Sequence, residues 1–227
     1  MTPYYSADGI QIFHSRWEDV WRSLGLKHED VALLWADPPY GVNERTERGS
    51  AGRNGKGRFK TARSRDFPRV AGDDRPFDPA PLLSFPRAIL WGGNHYGSRL
   101  PDASCWLVWD KREGTGINDN ADCELAWTNL GGPARLFHHM LNGCLRDSER
   151  ETPREHPTQK PVALASWGFQ RAKLKPGNLV FSPYMGSGPE ARAALDMGLR
   201  FVGCEIVKEY CGAAVNRLKQ RPLLFTP

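Results

Sequence analysis

Short apolar runs alternate with helix-forming stretches along most of this chain of 227 residues. Strands separated by helices form βαβ units around a largely parallel sheet. The strand candidates are Ile10 to His14, Val31 to Ala36, Ala88 to Trp91, Cys105 to Asp110, Cys123 to Trp127, Arg135 to His139, Asn178 to Phe181 and Phe201 to Glu205. The helix candidates are Arg16 to Leu24, Pro79 to Phe85, Pro161 to Leu174, Pro189 to Met197 and Lys208 to Gln220. The pattern predicts an α/β fold with a mixed, mostly parallel sheet, helices on both faces and an antiparallel edge between residues 105 and 139.

The length and the 40% apolar content suit one globular domain with a substantial core. The N-terminus lacks a basic start followed by an apolar stretch, and the longest apolar run, VALLWA, is too short to cross a bilayer. The five cysteines are scattered without a CxxC pair, which favours free thiols in a reducing compartment. We therefore expect a soluble, cytoplasmic protein with no membrane segment and no bound metal.

The alternation stops between residues 44 and 69, where ERTERGSAGRNGKGRFKTARSRDFPR carries nine Lys or Arg against three Asp or Glu. A loop this long inside a compact domain is usually functional or disordered. Basic side chains that neutralise phosphates release condensed counterions, so the segment suits a nucleic acid. The candidate contacts are Arg45, Arg48, Arg53, Lys56, Arg58, Lys60, Arg63 and Arg65. A solvated linker is the alternative.

The segment VALLWADPPYGV is the sharpest local signal in the sequence. A buried strand ends at Asp37, after which Pro38 and Pro39 stiffen the turn and Tyr40 follows. In open α/β sheets, ligands bind outside the carboxyl ends of the strands. The turn therefore predicts a binding site, with a merely rigid turn as the alternative.

Such a turn suits the exocyclic amine of adenine, whose nitrogen lone pair is delocalised into the ring. The Asp37 carboxylate and the Pro38 carbonyl can accept hydrogen bonds from the two N–H groups, which leaves the lone pair to attack an electrophilic carbon. Tyr40 offers a face on which the base can stack, a contact worth ~1 to 3 kcal/mol. Because that nitrogen is inaccessible inside a duplex, the nucleotide must rotate out of the helix first.

The stretch NLVFSPYMGSGPEARAAL reads as a strand, a glycine turn and a helix. Gly186 and Gly188 allow close approach of the backbone to a ligand, and Pro189 suits the first position of a helix. The next strand ends at Glu205, nineteen residues after Gly186, a spacing at which a carboxylate commonly binds ribose hydroxyls. A glycine turn alone is weak evidence, but the combination predicts a site for a nucleotide-like cofactor.

These motifs resemble those of the amino-methyltransferases that use S-adenosylmethionine to modify exocyclic amines in DNA, a family known from restriction-modification systems. The matching segments are DPPY, HPTQKP at 156 to 161, SPYMGSG and FVGCEI, with GDDRPFDP, ILWGGNHY, LVWDKREG, DCELAWTN and RDSERETPREHPTQKP between them. The catalytic motif precedes the cofactor motif, as in the permuted β group, and the intervening segments are similar to small phage- and prophage-type adenine methylases. The resemblance spans about residues 8 to 219.

The resemblance implies a Rossmann-like methyltransferase fold, double-stranded DNA as the partner and methyl transfer to adenine N6. It implies a methyl-transfer pocket formed by Asp37, Pro38, Pro39 and Tyr40, with Asp at position 37 favouring adenine over cytosine. The implied residues for the methionine half of S-adenosylmethionine are Ser182, Tyr184, Gly186, Ser187 and Gly188. Glu205 would bind the ribose, and Thr158, Gln159 and Lys160 would lie near the cofactor's carboxylate.

Three residues depart from the family's usual loop, Asp-Pro-Phe/Tyr-x-Gly-Ser-Gly-Thr-Thr. Ser182 replaces the Asp, and Pro189 with Glu190 replaces the Thr pair. Losing a charge-assisted hydrogen bond to the cofactor's ammonium costs on the order of 1.5 to 3 kcal/mol. In the first turn of a helix, the negative charge of Glu190 suits the fold but is expected to repel the cofactor's carboxylate. We therefore expect weak cofactor binding.

Two other functions stay open at this point. One is a catalytically impaired relative that binds nucleic acid through its basic segment. The other is methyl transfer to N4 of cytosine or to a protein amide, because the chemistry of the turn does not distinguish these amines.

About fifteen residues separate Met140 from HPTQKP, too few for the separate recognition domain of larger relatives. We therefore predict a single catalytic domain over residues 1–227, with base recognition from residues 44–69 and 141–155. The sequence does not distinguish a monomer from a homodimer. Asp73 and Asp74, which precede Pro76, are expected in a solvated turn rather than a metal site.

Overall fold

The computed structural model describes residues 1–42, 70–112, 121–142, 145–149 and 159–220. Its strands are β1 (Tyr5–Ala7), β2 (Ile10–His14), β3 (Leu33–Ala36), β4 (Ala88–Trp91), β5 (Trp106–Asp110), β6 (Cys123–Thr128), β7 (Arg135–His138), β8 (Leu141–Asn142), β9 (Leu145–Arg146), β10 (Leu179–Ser182) and β11 (Arg200–Glu205). Its α-helices are α1 (Trp17–Leu24), α2 (Val162–Arg171), α3 (Pro189–Asp196) and α4 (Lys208–Leu218). Within these ranges, no helix has the length and apolar composition needed to cross a membrane.

Nine strands form one mixed sheet in the order β1-β2-β11-β10-β3-β4-β6-β5-β7. The central strands β2, β11, β10, β3 and β4 pair in parallel. Strand β6 pairs antiparallel with both β4 and β5, whereas the outermost strand, β7, pairs parallel with β5. The predicted mostly parallel sheet is confirmed. Its antiparallel pairs are those of β6 with β4 and β5, and of β1 with β2 at the opposite edge.

Helices cover both faces of the sheet, as predicted. Successive residues of a strand point to opposite faces, and all four side chains of β3 are buried. Leu33 and Trp35 belong to the hydrophobic cluster that contains the buried faces of α2, α3 and α4. Leu34 and Ala36 belong to a second cluster, which contains Val20 of α1. Burial on both faces explains why this strand is continuously apolar.

The largest difference from the predicted elements lies between residues 79 and 85. The predicted helix is wrong: a single 3-10 turn spans Ala80–Leu82. Pro86 disfavours helical geometry at Phe85, and the few residues left before it form only one turn. The short strands β1, β8 and β9 were missed, because two or three residues do not carry a detectable periodicity.

Candidate active site

A cavity of about 590 Å³ lies at the carboxyl ends of the parallel strands. Its wall includes the turn 37–40 after β3, the loop 183–190 after β10, residues 204–207 at the end of β11, and Gln159 with Lys160 ahead of α2. Small-molecule sites typically have volumes of about 300–1,000 Å³. Segments far apart in sequence therefore meet around one space large enough for a nucleotide-like ligand.

The turn after β3 holds Tyr40 against Asp37. The Tyr40 hydroxyl donates a hydrogen bond to Asp37 Oδ1 at 2.6 Å. One face of the Tyr40 ring stacks on His95, with ring centroids 4.8 Å apart. Gly92 has a φ of +72°, and a Cβ there would lie 2.0 Å from a Tyr40 ring carbon. Only glycine at position 92 lets Tyr40 adopt this position.

Asp73 fastens the same turn from a distant part of the chain. It is 6% exposed, and its Oδ1 accepts hydrogen bonds from the N–H groups of Gly41 at 2.8 Å and Val42 at 3.2 Å. The expectation of a solvated turn is therefore wrong for Asp73, whereas Asp74 is exposed. The buried Asp73 carboxylate thus holds the backbone just beyond the two prolines in place.

Lys160 connects Asp37 to a carboxylate that the motifs did not reveal. Its Nζ lies 2.5 Å from Asp37 Oδ2 and 3.1 Å from Glu124 Oε2. Glu124, on β6, also accepts a hydrogen bond from Lys111 Nζ at 3.0 Å. Lys160 borders the cavity, as expected of a cofactor residue, but its charge is paired with two carboxylates of the protein. Glu124 lies inside the strand segment DCELAWTN, where alternation predicts only a strand.

Burial and pairing set the charges of this network. Burial lowers the pKa of Lys160, but the carboxylates of Asp37 and Glu124 raise it above its usual value. Burial raises the pKa of Glu124, but Lys160 and Lys111 outweigh this and lower it to about 2. Burial raises the pKa of Asp37, and Lys160 opposes that rise. Burial and the Asp37 charge raise the pKa of Tyr40, so its hydroxyl stays protonated and donates to Asp37.

The departures from the usual cofactor loop contact each other. Ser182, at the end of β10, is fully buried, and its hydroxyl donates a hydrogen bond to Glu190 Oε1 at 2.8 Å. Burial raises the pKa of Glu190 to about 8, although its own backbone N–H and Ser182 lower it. Without a ligand, burial thus favours the neutral form of Glu190, because desolvation outweighs the favourable helix end.

Glu205 ties the glycine loop to the neighbouring strand. Its two carboxylate oxygens accept hydrogen bonds from the N–H groups of Gly186 at 2.9 Å and Val207 at 2.7 Å. Gly188, with a φ of +68°, packs so closely on α4 that a Cβ would lie 2.7 Å from the Cβ of Ala214. The Ser187 hydroxyl is buried at the cavity wall without a hydrogen-bond partner among the described residues. An unsatisfied hydroxyl beside an anchored carboxylate fits a polar ligand such as a nucleotide-like cofactor.

Most of the predicted site residues lie at this cavity or in the loop that forms its wall. The residues on the wall are Asp37, Pro38, Pro39, Tyr40, Gln159, Lys160, Tyr184, Gly186, Ser187 and Glu205. Ser182 and Gly188 belong to the same strand-turn-helix unit as that loop. Thr158 and the basic candidates from Arg45 to Arg65 lie outside the described residues.

The sequence is similar to known DNA methylases. The model of the N6/N4 DNA methylase family matches residues 102–216. The type II methyltransferase M2.DpnII of Streptococcus pneumoniae is 35% identical over an alignment covering 96% of this chain and 92% of that protein. The orphan methyltransferase M.BamHII of Bacillus amyloliquefaciens is 35% identical over 88 residues, which are 37% of this chain and 31% of that protein.

Two solved structures share the architecture. The M1.HpyAVI complex with S-adenosylmethionine is 19% identical, with a TM-score of 0.53 over 92% of this chain and 100% of that chain. The cytosine-N4-specific PvuII DNA methyltransferase is 12% identical, with a TM-score of 0.60 over 97% of this chain and 90% of that chain. At these identities the similarity concerns the fold, and it confirms the Rossmann-like arrangement.

Proposed function

The chain belongs to the N6/N4 DNA methylase family, and from that membership we propose that it transfers a methyl group from S-adenosylmethionine to N6 of adenine in double-stranded DNA. The observation that carries the proposal is the single cavity that joins the DPPY turn to the glycine loop and Glu205. A methyl transferase needs such a junction, because donor and acceptor atoms must approach in line within one site.

The residues of the cavity fit the cofactor. Glu205 is anchored by two backbone N–H groups and keeps lone pairs for the ribose hydroxyls. The loop of residues 183–190 borders the methionine half, where the unpartnered Ser187 hydroxyl is available. Gln159 lies on the same wall. When bound, S-adenosylmethionine supplies the electrophilic methyl group.

At the other end of the cavity, Asp37 receives the amine of the target base. Its carboxylate is engaged by Tyr40 and Lys160 in the absence of DNA. An incoming N–H group replaces one of these donors, and the Pro38 carbonyl accepts from the second N–H. Because burial raises the pKa of Asp37, its carboxylate is a stronger proton acceptor than one in water. Lys160, held by Glu124, keeps Asp37 in position.

Transfer to N4 of cytosine is the second candidate, since the related folds include a cytosine-N4-specific enzyme. We favour adenine because the turn begins with Asp37, where relatives that act on cytosine more often carry Ser. The order of motifs, with the DPPY turn ahead of the glycine loop, supports the permuted β group. We further propose that residues 1–227 form one catalytic domain, with residues 44–69 contacting DNA.

Expression in a host that lacks adenine methylation tests the proposal. Genomic DNA is digested and its nucleosides are analysed by mass spectrometry, with Asp37→Ala as the control. We expect N6-methyladenine from the wild type and none from the variant. N4-methylcytosine alone would assign the second candidate, and the absence of both from wild-type cells would contradict methyl transfer to DNA in that host.

A further inference from the structure

The carboxyl group of Glu190 borders the cavity without a cationic partner. Glu190 is the second residue of α3 and is 3% exposed. Its carboxyl group interacts with the Ser182 hydroxyl and with its own backbone N–H. None of the ion pairs formed among the described residues includes it. Burying a carboxyl group in this way is unfavourable for its charged form, so the group either keeps its proton or meets a cation.

The other acidic residues on the cavity wall already have partners. Asp37 is bonded to two side chains, Tyr40 and Lys160. Asp73 and Glu205 are each bonded to two backbone N–H groups. Of the remaining two, Glu18 pairs with Arg16 and Asp78 accepts the N–H of Ala80. Glu190 is therefore the least compensated buried acidic side chain on this wall, since it is held by one hydroxyl and its own backbone N–H.

The charges on the surrounding elements leave Glu190 uncompensated. Burial raises its pKa most, the carboxylate of Asp37 adds to that rise, and Lys160 opposes it. On α3 itself, Arg192 pairs with Asp196. From α4, Arg217 contacts the Ser187 carbonyl and Glu149. On β11, Glu205 is acidic and supplies no positive charge. The described neighbours thus leave a place for one positive charge.

We propose that Glu190 is the anionic partner of the cofactor's ammonium group, in place of the Asp that the family usually has at position 182. The inference rests on the proposed function, because it takes S-adenosylmethionine as the occupant of the cavity. The usual loop has a carboxylate at position 182 and a hydroxyl at position 190. This chain has the hydroxyl at 182 and the carboxyl at 190, with the two groups 2.8 Å apart. The acidic and hydroxyl side chains thus stand in the opposite order, so Ser182 does not deprive the loop of an acidic group.

The exchange couples cofactor binding to proton release. Near neutral pH the Glu190 carboxyl group keeps its proton when the cavity holds no cation. On binding, its O–H bond breaks, the proton passes to solvent, and the carboxylate pairs with the ammonium. Affinity therefore rises with pH between 6 and 7.5. That range lies below about 7.7–8.0, where an α-amino group loses its own proton.

Isothermal titration calorimetry on the full-length protein tests this coupling. S-adenosylmethionine and S-adenosylhomocysteine are titrated between pH 6 and 7.5, in buffers that differ in ionisation enthalpy. We expect the wild type to release close to one proton per bound ligand at pH 6 and about half a proton at pH 7.5, where the free ligand has begun to lose its ammonium proton. Glu190→Gln should bind both ligands about tenfold or more weakly and release no proton. Its amide oxygen still accepts from Ser182, so the fold is retained.

Two controls identify the group that Glu190 contacts. 5′-Methylthioadenosine lacks the amino-acid end, so its affinity should be the same for the wild type and Glu190→Gln. A loss restricted to S-adenosylmethionine would instead indicate the sulfonium and would overturn the assignment to the ammonium. Glu209→Gln, which removes an exposed carboxylate from α4, should match the wild type in every titration.

A variant with the acidic and hydroxyl residues in the usual order distinguishes loss of the carboxyl group from a folding defect. Ser182→Asp with Glu190→Thr restores the usual order and should regain most of the affinity that Glu190→Gln loses. Ser182→Asp alone should not tighten binding, because it sets two carboxyl groups side by side. If the wild type and Glu190→Gln show equal affinity and equal proton release, the inference is overturned. The proposed function is not overturned by that result if nucleoside analysis still shows DNA methylation. A wild type that binds neither ligand would overturn the inference and the proposed cofactor together.

Discussion

Four charged side chains form a continuous row that reaches the cavity at the DPPY turn. Lys111 contacts Glu124, Glu124 contacts Lys160, and Lys160 contacts Asp37. The signs alternate along the row, so each buried or partly buried charge has an opposite neighbour. This arrangement keeps Lys160 protonated and holds the Asp37 side chain in place at the start of the DPPY turn. Residues on β6 and ahead of α2 therefore position a residue that follows β3.

Glu124→Gln tests the row through acid stability. The folded-state pKa of Glu124 is about 2, below the ordinary value of 4.5. The ionised carboxylate therefore contributes stability above pH 4.5, and this contribution is lost as the pH falls towards 2. At pH 6 we expect urea denaturation to show the variant less stable by roughly 3 kcal/mol, as for a broken buried pair. The difference from wild type should shrink between pH 4.5 and 2, and a difference independent of pH would contradict the role of the charge.

Glu190→Gln has the opposite effect on the protein without cofactor. The folded-state pKa of Glu190 is about 8, above the ordinary 4.5, so the folded state holds a proton that the unfolded state has released. Wild-type stability should fall between pH 4.5 and 8 by at most about 1.4 kcal/mol per pH unit from this group. Thermal unfolding should show Glu190→Gln increasingly more stable than the wild type across that window. A variant that is less stable at pH 8 would show that Glu190 is ionised and paired without ligand.

Single residues differ in how far the sequence reveals them. Asp37, Tyr40 and Glu205 follow buried strands within contiguous motifs, so their positions could be inferred. Glu124 and Asp73 act through partners on other segments, and nothing in their local sequence indicates those contacts. Ser182 and Glu190 were identified individually, but their hydrogen bond depends on how the loop turns into α3.

At the level of elements, the glycine after β4 controls the turn after β3. Gly92→Ala would bring a methyl group within 2.0 Å of the Tyr40 ring at a φ of +72°. We expect displacement of Tyr40, a loss of roughly 1 to 3 kcal/mol in unfolding free energy and loss of methyl transfer. Calorimetric unfolding and nucleoside analysis measure the two effects.

Gly97→Ala is the matched control for this substitution. Gly97 lies five residues further along the same connection, and a Cβ there meets no atom within 4 Å. The Gly97→Ala variant should retain wild-type stability and activity. Equal behaviour of the two alanine variants would contradict the role of Gly92 in placing Tyr40.

The elements that the sequence predicted well are those with a continuous apolar run or a clear helix start. Strand β4 begins and ends as predicted, and α3 begins at Pro189 as predicted. The failure between residues 79 and 85 arose because the segment is short and Pro86 disfavours helical geometry at its last residue. Pairing partners such as β6 between β4 and β5 depend on contacts distant in sequence, which local periodicity does not encode.

At the scale of the whole molecule, the basic residues between 44 and 69 follow directly from the DPPY turn. We predict that Arg58, Lys60 and Arg63, replaced together by Gln, weaken binding to duplex DNA and reduce its salt dependence. The slope of log affinity against log salt should fall by roughly 0.9 for each phosphate that the variant no longer neutralises. Fluorescence anisotropy on a labelled duplex at several salt concentrations measures this slope.

A triple variant at the other end of the sheet provides the control. Arg171, Lys173 and Lys175 are exposed and precede β10, so they lie away from the carboxyl ends of the strands. Replacing them by Gln changes the net charge by the same amount and should leave the salt slope unchanged. Equal slopes for both triple variants would mean that net charge, rather than the segment 44–69, attracts the DNA.

We propose that one cavity holds the methyl donor at the glycine loop and the target adenine at Asp37. Purified protein incubated with duplex DNA and S-adenosylmethionine carrying a deuterated methyl group tests it most directly. We predict labelled N6-methyladenine with the wild type, and none with Asp37→Asn although that variant binds the cofactor with wild-type affinity by calorimetry. Label in adenine at the wild-type level with Asp37→Asn would contradict this arrangement. A wild type that binds both DNA and S-adenosylmethionine but transfers label to no base would also contradict it.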